Sequence, residues 1–169
     1  MASVGEAGTR NEESAISQVS EEIKQRAADM EKEIIAERRY FHKHTELSLK
    51  ETETANALCW RLASMGIEYT RVPGNGIIAA IKGTAPDAYD AEGNPRRRIA
   101  LRSDIDALPV TELTGAPYAS ENEGVMHACG HDCHMSMLLR AARILLGMTD
   151  EIHGEVRLLF QPAEESSVG

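Results

Sequence analysis

Aromatic side chains make up only 4% of this 169-residue chain. So few rings leave little for a platform on which nucleic-acid bases could stack. Positive charge is also short: 18 Lys and Arg stand against 27 Asp and Glu, for a formal net charge of −9. A nucleic-acid partner, which calls for a clustered basic surface, is therefore not expected. The one basic cluster, Arg96-Arg97-Arg98, reads as the solvated start of a strand. No apolar run approaches the roughly 20 residues that span a bilayer, so no membrane partner is expected. The first ten residues show neither the basic nor the apolar segment of a secretory signal, and a cytoplasmic location is the expectation. Cysteine is sparse and odd in number, with Cys59, Cys129 and Cys133. Reduced thiols in such a setting favour metal binding over a disulfide.

What remains is ordinary for a globular domain. The composition is 42% hydrophobic and 27% charged, and the length suffices for one domain with a core. Residues 1–16 are small and polar and read as a disordered N-terminus. From Ser17 to His44, Val19, Ile23, Ala27, Met30, Ile34 and Phe41 recur at helical spacing among charges, which predicts a long amphipathic helix. Ser48-Leu49-Lys50-Glu51 has the form of a capping box. It announces a second helix with Ala55, Leu58, Leu62 and Met65 on its apolar face and Gly66 at its end. Ile67–Val72 and Ile77–Lys82 are β-rich runs around Pro73-Gly74-Asn75-Gly76, a hairpin signal. A polar loop over 83–95 leads to a short strand, Arg98–Arg102, which ends in Ser103-Asp104-Ile105-Asp106. A third helix is predicted from His131 to Gly147, and a last strand from Glu155 to Phe160. The order of elements predicts an α/β fold with a partial mixed sheet flanked by helices.

The chemistry concentrates in two segments. His127 to His134 holds three histidines, two cysteines and an aspartate, a density of soft and borderline ligands that favours metal binding over a buried free thiol. Cys129 and His131 are separated by Gly130 alone, and in an extended turn their side chains can share one side. The second segment, Phe160-Gln161-Pro162-Ala163-Glu164-Glu165, puts paired carboxylates at the end of an apolar strand. One could ligate a metal while the other serves as general base; an adjacent Glu pair is otherwise a solvated surface. Asp104 and Asp106 follow a strand as well, where either could orient a ligand or simply shape a turn. Cys59 falls in the helical apolar stripe and reads as core. His42 and His44 read as surface residues or partners of a helix C-terminus.

Four stretches then carry a specific resemblance: Phe41-His42-Lys43-His44-Thr45-Glu46-Leu47-Ser48, Arg102-Ser103-Asp104-Ile105-Asp106-Ala107-Leu108-Pro109, Met126 to His134, and Phe160 to Glu165. In this order they resemble the M20 metallopeptidase family, within it the amidohydrolase branch of N-acyl-amino-acid, hippurate and indoleacetyl-amino-acid hydrolases. The resemblance implies the N-terminal part of a zinc-peptidase-like catalytic domain over 17–169. It also implies two divalent metal ions (manganese, zinc, nickel or cobalt), a small N-acyl amino acid or related amide as substrate, and a homodimer for the full-length form. Carried over by motif, Cys129, His131 and Glu165 would be metal ligands, with the thiolate able to bridge. Glu164 would be the general base and Asp104 would help orient the site. Asp132 and His134 would support the loop and helix start.

Two departures stand out: Thr45 occupies a position where the branch usually has proline, and Ser166-Ser167 replaces a glycine-rich continuation. Family members are also longer, with further ligands and a smaller inserted domain. A chain carrying half a site, weakly active or inactive alone, is the resulting expectation. Two rival readings are a non-catalytic metal-binding or regulatory fragment, and an amidase using Cys129 as nucleophile beside His131 or His127.

Overall fold

The structure, a computed structural model, describes residues 4–166. Three helices, three strands, a further helix and a last strand follow one another along it: α1 (Val4–Asp29), α2 (Glu31–Lys43), α3 (Thr52–Ser64), β1 (Tyr69–Arg71), β2 (Ile77–Lys82), β3 (Arg98–Asp104), α4 (His131–Leu146) and β4 (Glu155–Gln161). The expected α/β architecture with a mixed sheet is what forms. The sheet runs β1-β2-β4-β3. The hairpin strands pair antiparallel, Tyr69 opposite Ala79; β2 pairs antiparallel with β4. β3 and β4 run parallel from Arg98–Glu155 to Asp104–Gln161. A parallel pair needs a crossover, and α4 supplies it. Parallel register therefore delivers the ends of both strands, and the acidic residues beyond them, to one rim of the sheet.

Alternation places Ile77, Ala79 and Ile81 of β2 and Val156, Leu158 and Phe160 of β4 inward. They meet Leu58 and Leu62 of α3, Phe41 of α2, and Met135, Leu138, Leu139 and Ala142 of α4. Each fully buried large side chain contributes about 1.5–3 kcal/mol of transfer free energy. Glu37 of α2, itself buried, ties the helices together by accepting from Arg61 of α3 and Arg140 of α4. Among the described residues, no helix is long and apolar enough to cross a membrane.

Four local expectations need revision. The first helix begins at Val4, ahead of Ser17, and is not continuous to His44: it breaks at Met30, whose φ and ψ are −98° and 9°. Of the polar N-terminal stretch, residues 1–3 lie outside the described residues. Ser48 does not cap α3. The Glu46 carboxylate takes the free N–H groups of Glu53 and Thr54, at 3.2 and 2.7 Å; α3 begins only at Thr52, and the Ser48 hydroxyl goes to Asp106. His42 is not at the surface but 3% exposed, bonded to Asp132 and Glu112. Finally, β3 and β4 run past the predicted ends, to Asp104 and Gln161.

Gly154 opens β4 with φ at 154°, and a Cβ there would stand 2.2 Å from the Arg97 carbonyl oxygen. That carbonyl also receives the Glu155 N–H at 2.9 Å, so it cannot retreat without loosening the β3–β4 ladder. Gly154→Ala is expected to cost roughly 1–3 kcal/mol. Urea unfolding should show it as a lower midpoint at unchanged slope.

Candidate metal centre

The rim where β3 and β4 end faces the first turn of α4. Gly130 enters the helix with φ at 84°, in the left-handed region that glycine tolerates best. Its carbonyl then accepts the N–H groups of Cys133 and His134 at 2.9 and 3.2 Å. This turn, rather than an extended one, brings Cys129 and His131 to the same side.

His131 is 2% exposed. Its Nδ1 donates to the main-chain carbonyl of Asp106 at 2.9 Å, and the Asp106 carboxylate lies 3.3 Å from the same nitrogen. That hydrogen bond selects the tautomer and leaves Nε2 with its lone pair free. Nε2 faces Glu164 Oε2 and Glu165 Oε1, each 3.8 Å away. Cys129 Sγ, a ring nitrogen of His131 and a carboxylate oxygen of Glu165 all fall within 4.8 Å of one another. The three predicted ligands thus converge.

The paired glutamates reach this point through a strained corner. Ala163, fully buried, has φ at 53°, and residues 164–166 form one turn of 3-10 helix. Glu51 holds the corner: its carboxylate, fully buried at the start of α3, accepts the Ala163 N–H at 2.8 Å. Asp106 holds the next residue, accepting the Glu165 N–H at 3.0 Å and the Ser48 hydroxyl at 2.6 Å on the same oxygen. Neither anchor was chosen from the sequence. In the sequence Glu51 carries only a helix-capping signal, and the family resemblance points to Asp104 and not to Asp106. The orienting hydrogen bond to His131 comes from Asp106; Asp104 lies instead beside His134, with 3.6 Å between its Oδ2 and Nδ1.

The remaining motif residues occupy a second layer. Asp132, fully buried, receives Arg38 and His42, each at 2.7 Å, and so braces the helix start. His127 is buried and outside the converging donors; burial pushes its imidazole down to about 4, so it stays neutral at pH 7.

The electrostatics suit a cation. Glu165 Oε1 is buried with no hydrogen-bond partner among the described residues, a costly state for a carboxylate oxygen. Hydrogen bonding to Glu165, followed by burial and by the charges of Glu165, Glu164 and Asp104, raises the Cys129 thiol above its ordinary value. A divalent ion between these groups would answer both features, satisfying the oxygen and favouring the thiolate.

The chain is similar to known proteins. Residues 100–169 match the profile of Peptidase family M20/M25/M40. The chain is 45% identical to N-acetyl-L-cysteine deacetylase of Bacillus subtilis over 83% of its own length and 32% of that protein. It is 42% identical to N-acyl-L-amino acid amidohydrolase of Geobacillus stearothermophilus, over 86% of this chain and 37% of the relative. The Bacillus subtilis YXEP protein, described as a dinuclear metal binding peptidase from the M20 family, superposes with a TM-score of 0.75 at 41% identity, over 84% of this chain and 38% of that one. The chain spans about a third of the length of the curated relatives it matches.

In the cation-free chain, alkylation of Cys129 should therefore rise with pH at a midpoint above the ordinary 9.0. Removing the negative neighbour with Glu165→Gln should bring that midpoint down, since less charge then opposes the thiolate. Peptide mass mapping separates Cys129 from Cys59 and Cys133; an unchanged midpoint in the variant would refute the pairing.

Proposed function

The chain belongs to the M20 peptidase family, in its amidohydrolase branch, and from that premise we propose that its protein is a metal-dependent amidohydrolase. It cleaves the amide between an acyl group and the nitrogen of an amino acid. The observation that carries this reading is the approach of Cys129, His131 and Glu165 to one point with a second carboxylate, Glu164, beside them. The relatives named for N-acetyl-L-cysteine deacetylation and N-acyl-L-amino acid hydrolysis support the substrate class.

Cys129, His131 and Glu165 would hold a divalent cation, manganese, zinc, nickel or cobalt, with Cys129 available to a second. When bound, such cations lower the pKa of water and polarise a carbonyl. The residues do the rest. Glu164 is exposed while Glu165 is half-buried, which divides the pair into a mobile carboxylate and a fixed one. Glu164 takes the proton of the attacking water and returns it to the departing amine. Asp106 keeps the His131 ring in one tautomer and one orientation, and Glu51 keeps the corner at Ala163 that aims both glutamates. The thiol itself is a poor nucleophile here, because three acidic neighbours hold it protonated, which disfavours a cysteine amidase.

The thiol-containing group offers three donors, Cys129, His131 and Glu165, and a firmly held pair of cations needs more. The 169-residue chain by itself is accordingly expected to hydrolyse N-acetyl amino acids weakly or not at all. Release of free amino acid with added Mn²⁺ or Zn²⁺ measures this. In a protein that contains this segment at the length of its relatives, Glu164→Gln should lower kcat by about 10²–10⁴-fold with the bound metal retained. Glu165→Gln should instead lose metal. A metal-loaded protein of that length that cleaves no N-acyl amino acid would end the proposal.

A further inference from the structure

We propose that the chain carries a second cation position, formed by Asp104, His131 and His134, which takes a divalent first-row metal ion without using the Cys129 thiol. One donor atom from each of these side chains lies within 4.8 Å of the other two. β3 ends in Asp104 and α4 brings His134 round in its first turn, so the parallel pair and its crossover helix deliver both to the same rim as His131. Arg102 occupies Oδ1 of Asp104, which leaves Oδ2 turned toward Nδ1 of His134. Their 3.6 Å separation is too long for a direct hydrogen bond and leaves room for an ion to bind both. The His131 and His134 rings stack with centroids 5.4 Å apart. The position opens outward: the side chains of Asp104 and His134 are 14% and 43% exposed. Both border a cleft of about 430 Å³ floored by Leu101, Met137, Leu138 and Ala141.

The two positions meet at His131, and that meeting gives the arrangement its consequence. With Nδ1 committed to the Asp106 carbonyl, Nε2 has the one lone pair to give, and one lone pair serves one cation. Occupancy through His131 is therefore exclusive. Cys129, His131 and Glu165 offer sulfur, nitrogen and oxygen, a set that favours thiophilic ions such as zinc. Asp104, His131 and His134 offer two imidazoles and a carboxylate with open positions, a set that suits iron(II), and by the same donor chemistry cobalt, nickel or manganese. The chain can thus keep a cation at this rim when its thiol is blocked. The inference rests on the donor geometry and not on amide hydrolysis.

Titration of the 169-residue chain with Co²⁺, followed by absorption and equilibrium dialysis, tests it. Cys129→Ser should lose the sulfur-to-cobalt absorption and still bind one Co²⁺ per chain. Adding either His134→Ala or Asp104→Asn to Cys129→Ser should weaken that binding by about tenfold or more, since even loss of an outer partner of a ligand costs about 10–100-fold. His134→Ala alone should keep the sulfur absorption, so failure of the thiolate position and failure of this one are read separately. Circular dichroism monitors folding, and the isosteric Asp104→Asn keeps the test decisive should His134→Ala unfold. Binding in Cys129→Ser that ignores both second substitutions, or that is absent, overturns the proposal.

Discussion

One hydrogen bond organises this molecule: Nδ1 of His131 to the main-chain carbonyl of Asp106. It joins the first residue of α4 to the segment leaving β3, and so fixes where the crossover helix sits over the parallel pair. It also decides which nitrogen of His131 points at the glutamates. Asp106 then serves three elements at once, through its carbonyl to His131 and through its carboxylate to Ser48 and to the Glu165 amide. The segment after α2, the end of β3, the start of α4 and the turn after β4 are locked at a single buried residue. Where so many parts depend on one group, geometry is held without reliance on flexible side chains.

The same region concentrates buried acid. Glu51, Asp106 and Asp132 are each fully buried, and burying an ionised carboxylate costs several kcal/mol unless it is paired or well hydrogen-bonded. Asp132 meets that requirement at Oδ2 alone, with Arg38 and His42, and Glu51 meets it with a main-chain amide and Asn75. Asp106, Asp132 and Glu165 each keep one oxygen without a hydrogen-bond partner among the described residues. Negative charge is thus left in excess at the rim, in a chain already at −9. Such a field draws divalent cations and opposes thiolate chemistry in their absence. A cation that relieved these unsatisfied carboxylates would also stabilise the fold that holds them.

Much of the architecture was legible because its signals are local. The hairpin around Pro73–Gly76 declared itself through turn residues that accept positive φ. α4 and β4 declared themselves through apolar periodicity, and the candidate thiol and imidazole donors through their density in Met126–His134. What escaped was non-local. Ser48 had every appearance of a capping residue, yet its hydroxyl reaches Asp106. Glu51 looked like the far half of the same box, yet it anchors Ala163, more than a hundred positions along. His42 looked like a helix-end surface residue, yet it closes a buried hydrogen-bond network with Asp132 and Glu112. A side chain's partners are chosen by packing, and spacing along the chain carries no trace of a partner that far away.

The sequence by itself determined the chemistry on offer: which donors exist, on which elements they ride, and that a thiol, an imidazole and a carboxylate stand in motif order. The choice between Asp104 and Asp106 lay beyond it. Both follow the same strand, and an alternation of two residues gives both the same face. Only the tertiary structure separated them, by placing α4 so that Asp106 lies behind His131 and Asp104 beside His134. That difference depends on how a helix seats against a sheet, which is set by the summed packing of side chains distant in the chain and not by any one segment of it.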